Sequence, residues 1–232
     1  MSNRARAIVF TLILCIVCSL MLTAASSGLK RFHMQNMRLD RQQNILRSVG
    51  LISTDKTLAA KAVEQMYVRN IQELRANPSG EILSQEKAAD TDLPIFLYRT
   101  EQQIKAYIVP INSRGLWGRI LGYLAIETDG RTILGFTVYQ HAETPGLGGE
   151  IENYRFQQNF VGKTIVGPKG NFESITIAKG LVKDRIPREK QSNYVDGISG
   201  ATLTGKFLSA GLKENLLAYE PVFSRFRKQT AK

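Results

Sequence analysis

The 232-residue chain has little with which to bind a metal or staple a loop. Its only cysteines, Cys15 and Cys18, lie inside one apolar run, so its remaining residues have no disulfide and no thiolate metal site. Its two histidines, His33 and His141, are far apart in sequence, which argues against a zinc centre. There are no internal repeats and no low-complexity tract. The folded middle also lacks an excess of positive charge, although the net charge is +11. Seven Lys/Arg against Asp40 alone fall in residues 1–47, and Arg225, Arg227, Lys228 and Lys232 fall at the other end. The 174 residues between carry 20 basic and 19 acidic side chains. A nucleic-acid-binding domain carries its basic residues on the folded surface, so nucleic acid is not an expected partner.

The longest apolar run is residues 7–25, AIVFTLILCIVCSLMLTAA, uncharged and preceded by Arg4 and Arg6. Its length suits one membrane-crossing helix and exceeds the usual core of a cleaved leader, although Thr23-Ala24-Ala25 resembles a cleavage site. Cys15 and Cys18 have redox-pair spacing, but a thiolate in hydrocarbon is costly, and they read as small apolar residues of that helix. Lys30, Arg31, Arg38 and Arg41 follow the run, so charge counting leaves the orientation open. Residues 29–47 read as a polar stalk helix closed by Gly50. A second helix is expected over Lys56–Arg75, capped by Thr54 or Asp55 and ended by Asn77-Pro78-Ser79-Gly80, with a solvent loop over 81–93.

Strand signals follow at 94–98, 104–109, 120–127 and 132–140, with Pro110–Gly118 as a loop. Asp129-Gly130 between two β-rich runs predicts a hairpin with a type I′ turn. Residues 154–160 read as a short helix, 174–178 as a strand and 181–193 as a charged loop. Leu208, Leu212 and Leu216 repeat at helical spacing after residue 200. The fold class expected is α+β: an N-terminal transmembrane helix, then an antiparallel sheet with packed helices.

Two stretches carry chemistry. In Asp196-Gly-Ile-Ser-Gly-Ala-Thr-Leu-Thr204, the small residues Ser199, Gly200 and Ala201 admit close approach to the backbone. Thr202 and Thr204 add hydroxyls where a helix begins, and Lys206 adds a charge one turn in. A helix N-terminus suits a phosphate, although Ser199 or Thr202 can equally be an ordinary cap. Gly200–Lys206 matches a P-loop until its next residue, where Phe207 replaces the Ser/Thr that would hold Mg²⁺. No βαβ context surrounds it, so nucleotide hydrolysis is set aside. The second stretch is the constrained loop His141-Ala-Glu-Thr-Pro-Gly-Leu-Gly-Gly-Glu150. His141 and Glu143 are candidates for ligands or an acid–base pair. Thr144–Leu147 can set backbone groups against the edge of a planar ring and Leu147 over its face. Trp117, the only tryptophan, is read as core or interface rather than a ring-stacking partner.

These two stretches, with Gly149-Glu-Ile-Glu-Asn153, Gly115-Leu-Trp117, Asn44-Ile-Leu46 and Tyr219-Glu-Pro-Val-Phe223, resemble the C subunit of the Na⁺-translocating NADH:quinone reductase over nearly the whole chain. The G subunit of the Rnf electron-transport complex shares the two short cores, Glu-Thr-Pro-Gly-Leu-Gly and Ser-Gly-Ala-Thr. The resemblance implies FMN held by a phosphoester to Thr202, attached by a separate flavin transferase that uses FAD. It implies that Glu143, Thr144, Gly146 and Leu147 lie along the isoalloxazine ring. It implies an electron relay among partner subunits of a bacterial inner-membrane complex, with the flavin domain on the periplasmic side. The division expected is residues 1–28 as cytoplasmic N-terminus and transmembrane helix, 29–80 as stalk and helix, and 81–232 as the FMN-binding domain. Two departures stand out: Gly205-Lys206-Phe207 replaces a Ser and an Asn-Gly type sequence, and the region near 165–190 is short. A noncovalent, membrane-tethered phosphate-ligand module is the reading of a different class.

Overall fold

The computed structural model describes residues 2–53, 58–101 and 103–230. The chain divides into two units, Met1–Asp40 and Arg41–Lys232. Helix α1, Asn3–Ser48, runs from the first into the second. Its apolar stretch is long enough to cross a bilayer and none of it is buried. Hydroxyls in that stretch are satisfied within the helix, Thr11 donating to Ala7 O and Thr23 to Ser19 O. Such internal bonding is what a polar side chain needs in hydrocarbon. At its other end α1 closes with paired bonds from Gly50 N–H to Arg47 O and Leu51 N–H to Leu46 O.

The second helix, α2, covers Ala60–Asn70 and is shorter than expected. The cap residues Thr54 and Asp55 lie outside the described residues. Residues 71–75, expected as its last turns, are instead in strand β1, Ile71–Ala76. Gln72, Glu73, Leu74 and Arg75 are good helix formers, but every β1 residue pairs antiparallel with Leu93–Tyr98 of β3. Tertiary pairing overrides the local preference. Asn77–Gly80 is therefore a strand-to-strand turn, with Asn77 Oδ1 accepting from Glu81 N–H at 2.8 Å. It leads to β2, Ile82–Leu83, inside the expected solvent loop.

Strands β3 (Leu93–Thr100), β4 (Gln103–Arg114), β5 (Arg119–Glu127) and β6 (Ile133–Gln140) complete an antiparallel sheet of order β2-β1-β3-β4-β5-β6. Pro110, expected in a loop, lies within β4, opposite Tyr123 of β5. Pairing with β3 ends at Ile108, so beyond that point β4 has a strand on one side only and tolerates proline there. The Asp129-Gly130 hairpin forms, but not as a type I′ turn. Of its two central residues only Gly130 has positive φ, and the Asp129 carboxylate closes a wider loop by accepting from Arg131 N–H, Thr132 N–H and the Thr132 hydroxyl.

Four short elements follow: α3 (Tyr154–Gln158), β7 (Thr176–Ile177), α4 (Val182–Arg185) and β8 (Tyr194–Val195), the two strands paired in parallel. The charged loop expected over 181–193 thus contains α4 and a 3₁₀ turn at Arg188–Asn193. Helix α5, Thr202–Thr230, is the last described element. Its Leu208, Leu212 and Leu216 stripe is fully buried with Ile95, Val109, Leu124, Phe136 and Phe160 in the main core. The last turns of α1 serve the domain as well: Ile45 and Leu46 are fully buried, and Asn44 O accepts from the Thr137 hydroxyl of β6.

Candidate functional site

Strand β8 delivers residues 196–201 to the start of α5, and this connection is tied down on one side. Asp196 Oδ1 accepts from Val182 N–H at 2.6 Å, and Gly197 N–H donates to Gly180 O at 2.8 Å. Ala201 N–H donates to Ile198 O, and Ala201 O accepts the first helical bond from Gly205 N–H. Ala201 thus occupies the capping position, and alanine has no oxygen to cap with. Neither Ser199 nor Thr202 caps the helix by side chain. The N–H groups of Thr202, Leu203 and Thr204 have no hydrogen-bond acceptor among the described residues, leaving the positive end of a 29-residue helix open. Gly205 and Lys206 lie within the helix, not in a loop before it, which agrees with setting the P-loop aside.

The two threonines of this first turn point differently. Thr202 is exposed; Thr204 is buried and its hydroxyl donates to Glu143 Oε2 at 2.5 Å. Glu143 is only 5% exposed, and its other oxygen accepts Trp117 N–H at 3.1 Å. Two glycines leave the backbone bare beside this carboxylate. A Cβ at Gly115 would stand 2.5 Å from Glu143 Oε1, and one at Gly148 would stand 2.8 Å from Oε2 and 2.5 Å from the Thr204 hydroxyl oxygen. Glu143 N–H donates to His141 Nδ1 at 3.1 Å, which leaves Nε2 as the proton-bearing nitrogen, 3.1 Å from Glu152 Oε2. His141 is therefore a loop brace. No group of three or more metal-ligating side chains occurs among the described residues.

Thr202 opens into a cleft of ≈ 230 Å³ between the 143–148 loop, the 116–117 turn and residues 200–204. Seven of the expected site residues meet there: Glu143, Thr144, Leu147, Gly200, Ala201, Thr202 and Thr204. Leu147 lies over Gly200, where a Cβ would come within 2.7 Å of Leu147 Cδ2. Gly146 and Ser199 line a neighbouring hollow of ≈ 450 Å³, together with Asp196 and Arg155. Lys206 is exposed and lines neither. A larger hollow, ≈ 540 Å³, is formed by Asn112–Arg119 and shares Leu116 and Trp117 with the cleft but does not reach Thr202.

Trp117 is not core: it is 70% exposed at the β4–β5 turn. With Leu116, Leu147 and Leu203, also exposed, it gives the cleft apolar walls around a hydroxyl. Leu116, Leu203 and Gly148 were not legible as site residues. The available signal was Gly115-Leu-Trp-Gly118 itself, since large apolar residues between two glycines at a strand turn have little core to enter. An open helix N-terminus, a free hydroxyl and apolar walls fit a phosphate-bearing planar cofactor such as flavin mononucleotide.

This arrangement, an antiparallel sheet with a phosphate-ready helix start beside a glycine-rich loop, defines an FMN-binding domain. The family model described as FMN-binding domain matches residues 115–216, from the β4–β5 turn to the middle of α5. The chain is 34% identical to the C subunit of the Na⁺-translocating NADH-quinone reductase of Yersinia pestis, covering 86% of this chain and 83% of that one. It is 29% identical to the C subunit from Pseudomonas aeruginosa, covering 88% of each. The crystal structure of the C subunit from Parabacteroides distasonis superposes with a TM-score of 0.71 at 31% identity, over 84% of this chain and 97% of that one. The chain belongs to the family of the C subunits of the Na⁺-translocating NADH-quinone reductases, and so to the subunits of a sodium-translocating oxidoreductase.

Proposed function

We propose that this chain is the membrane-anchored electron carrier of such a reductase, with FMN esterified through its phosphate to the hydroxyl of Thr202. The observation that carries this reading is the exposed Thr202 hydroxyl at an uncapped helix start, inside an apolar-walled cleft. In the attachment step the Thr202 oxygen forms a bond to the FMN phosphorus of FAD. The pyrophosphate bond breaks, AMP leaves, and the hydroxyl proton passes to the flavin transferase that catalyses the step. The N–H groups of residues 202–204 and the positive end of α5 stabilise the phosphate. Thr144, Gly146, Leu147 and Glu143 border the ring, and Ser199, Gly200 and Ala201 keep the approach clear. FMN supplies one- and two-electron redox chemistry, and a tether at the phosphate leaves that chemistry to be tuned by contacts with the ring.

The same reading places α1 across the bacterial inner membrane with the flavin domain on the periplasmic side. There it passes electrons between centres of partner subunits on the way to quinone. Thr204, already bonded to Glu143, is the unmodified threonine. Lys206, one turn along the helix, adds a diffuse positive field rather than a phosphate contact.

The test is co-expression with an active flavin transferase, followed by a denaturing gel viewed under ultraviolet light. Wild type is expected to fluoresce, Thr202→Ala to be dark, and Thr204→Ala to keep much of its band after overnight expression. A dark wild-type band beside a working transferase would leave the noncovalent module as the better reading. A dark Thr204→Ala with a bright Thr202→Ala would move the ester to Thr204.

A further inference from the structure

We infer that Glu143 is a positioning residue for flavin attachment, acting through Thr204 to aim Thr202; this rests on the ester reading above. Three segments distant in sequence meet at its carboxylate. Oε1 holds the backbone of the β4–β5 turn through Trp117 N–H, and Oε2 holds the first turn of α5 through the Thr204 hydroxyl. Glu143 itself belongs to the glycine-rich loop. Both oxygens are thus committed to protein donors in a site that is 5% exposed. A carboxylate so occupied has little left to offer a ligand, and its effect on the cofactor is exerted through the groups it holds. Leaving the buried Glu143 carboxylate or the buried Thr204 hydroxyl unpaired is costly, so the arrangement is rigid.

The rigidity bears on Thr202 because Thr202 and Thr204 share one helical turn. Side chains two residues apart on a helix diverge by about 200°. With the Thr204 hydroxyl pinned inward, Thr202 is directed outward into the cleft, and its open N–H groups are held with it. The glycines at 115 and 148 are part of the device, since a Cβ at either would meet Glu143 or the Thr204 hydroxyl. The negative charge also lies at the positive end of α5, a favourable place for it.

The experiment measures the rate of attachment, not its end point, using the detergent-solubilised full chain, FAD and purified flavin transferase. Glu143→Ala and Thr204→Val are expected to lower kcat for attachment on the order of 10–100-fold, the usual consequence of a nucleophile misplaced by about 1 Å. The KM for the chain is expected to stay within about twofold, because the surface that the transferase meets is intact. Glu143→Gln is expected to stay within about threefold of wild type, because its carbonyl can accept from Trp117 and its amide can donate to Thr204. Thermal unfolding of each variant identifies any that fail to fold; Thr204→Val, which deletes one hydrogen bond at constant volume, carries the test if Glu143→Ala does not fold. Wild-type rates in folded Glu143→Ala and Thr204→Val would overturn the inference. So would Glu143→Gln falling as far as alanine, which would assign the effect to charge, or a raised KM at unchanged kcat, which would assign it to docking. Failure of the ester reading is separate, since wild type itself would then take up no flavin.

Discussion

The two ends of α5 treat the polar groups around them in opposite ways. At its start, three N–H groups have no acceptor among the described residues, Thr202 and Leu203 are exposed, and the capping position holds an alanine. From residue 211 onward the helix instead saturates the sheet beside it. Asn215 Oδ1 accepts Asn112 N–H at 3.1 Å while its Nδ2 donates to Asn112 O at 3.0 Å, so one side-chain amide stands in for a missing strand along the free edge of β4. Tyr219 donates to Pro94 O at 2.7 Å, and Arg227 donates to Gly130 O and pairs with Glu220. The main-core residues Leu212, Leu216, Val222 and Phe223 are at most 1% exposed. One element thus anchors the domain with its distal part and offers an unsatisfied, accessible end for chemistry. The proposed function needs both, because an open helix start holds its geometry only when the rest of the helix cannot move.

The largest effect is expected from Gly211→Ala. A Cβ there would stand 2.0 Å from Ser113 Oγ and 2.8 Å from Ser113 Cα, so α5 must lift from β4. The expected loss is about 2–3 kcal/mol, the range of an overpacked core site, read as a lower urea midpoint with unchanged slope. Chains that remain folded are expected to take up flavin more slowly than wild type, but less slowly than a variant altered at the helix start itself. A normal midpoint would show that α5 is not seated on β4 at this point.

Gly200→Ala probes the other end. Gly200 has φ +73°, and its Cβ would crowd the movable tip of Leu147. The left-handed backbone alone costs roughly 1–2 kcal/mol for a residue with a Cβ. Stability is expected to fall less than in Gly211→Ala, whereas the rate of flavin attachment falls more, because Leu147 and Thr202 border the same cleft. Equal ranking of the two variants in both measurements would erase the distinction between anchoring and reacting ends.

Much of this division was legible in the sequence, and the part that was not has a physical cause. The apolar run at 7–25 and the Leu208–Leu212–Leu216 stripe are local patterns, and both fall in helices as expected. Residues 71–75 mislead because Gln, Glu, Leu and Arg favour helix, and only the β3 partner some twenty residues later makes them strand. The Asp129-Gly130 pair signals a hairpin but not its turn, since the Asp129 carboxylate builds a wider loop from contacts that dipeptide statistics do not contain. Trp117 reads as core or interface because aromatics dominate ordinary packing; only the core half is excluded, by a turn that ends a strand expected to stop earlier, at Val109. Which threonine faces outward is the least local question of all, for it depends on Glu143, 61 residues before Thr204.

Asn215→Leu tests the substitute strand at the edge of β4. Leucine fills similar space but leaves Asn112 N–H and C=O without their partner. The edge is exposed enough for water to replace part of what is lost, so the expected cost is about 1 kcal/mol, the net worth of ordinary hydrogen bonds. Amide hydrogen exchange at Asn112 is expected to accelerate well ahead of exchange at Leu124 in the buried centre of β5. Uniform acceleration across the sheet would mean that Asn215 holds the whole domain rather than its edge.

The smallest effect, and the one that isolates a single contact, comes from Tyr219 at high pH. Burial raises the Tyr219 pKa above its ordinary value of about 10, an effect partly opposed by the Arg75 charge. A raised folded-state pKa makes the unfolded chain lose its proton first as the pH increases. The contribution of Tyr219 is therefore fully present below about pH 9 and declines as the pH rises through 10 toward the folded value. Tyr67, Tyr107 and Tyr123 are also raised by burial, so the wild-type urea midpoint is expected to fall in the same window with several groups contributing. Tyr219→Phe removes the bond to Pro94 O and costs about 1 kcal/mol at neutral pH. It also removes one titrating group, so its decline above pH 10 is shallower by at most about 1.4 kcal/mol per pH unit. The two curves are expected to approach each other as the pH rises. Parallel curves would show that the Tyr219 hydroxyl is no better protected in the folded domain than in the unfolded chain, and the distal part of α5 would then be a looser anchor than its buried contacts imply.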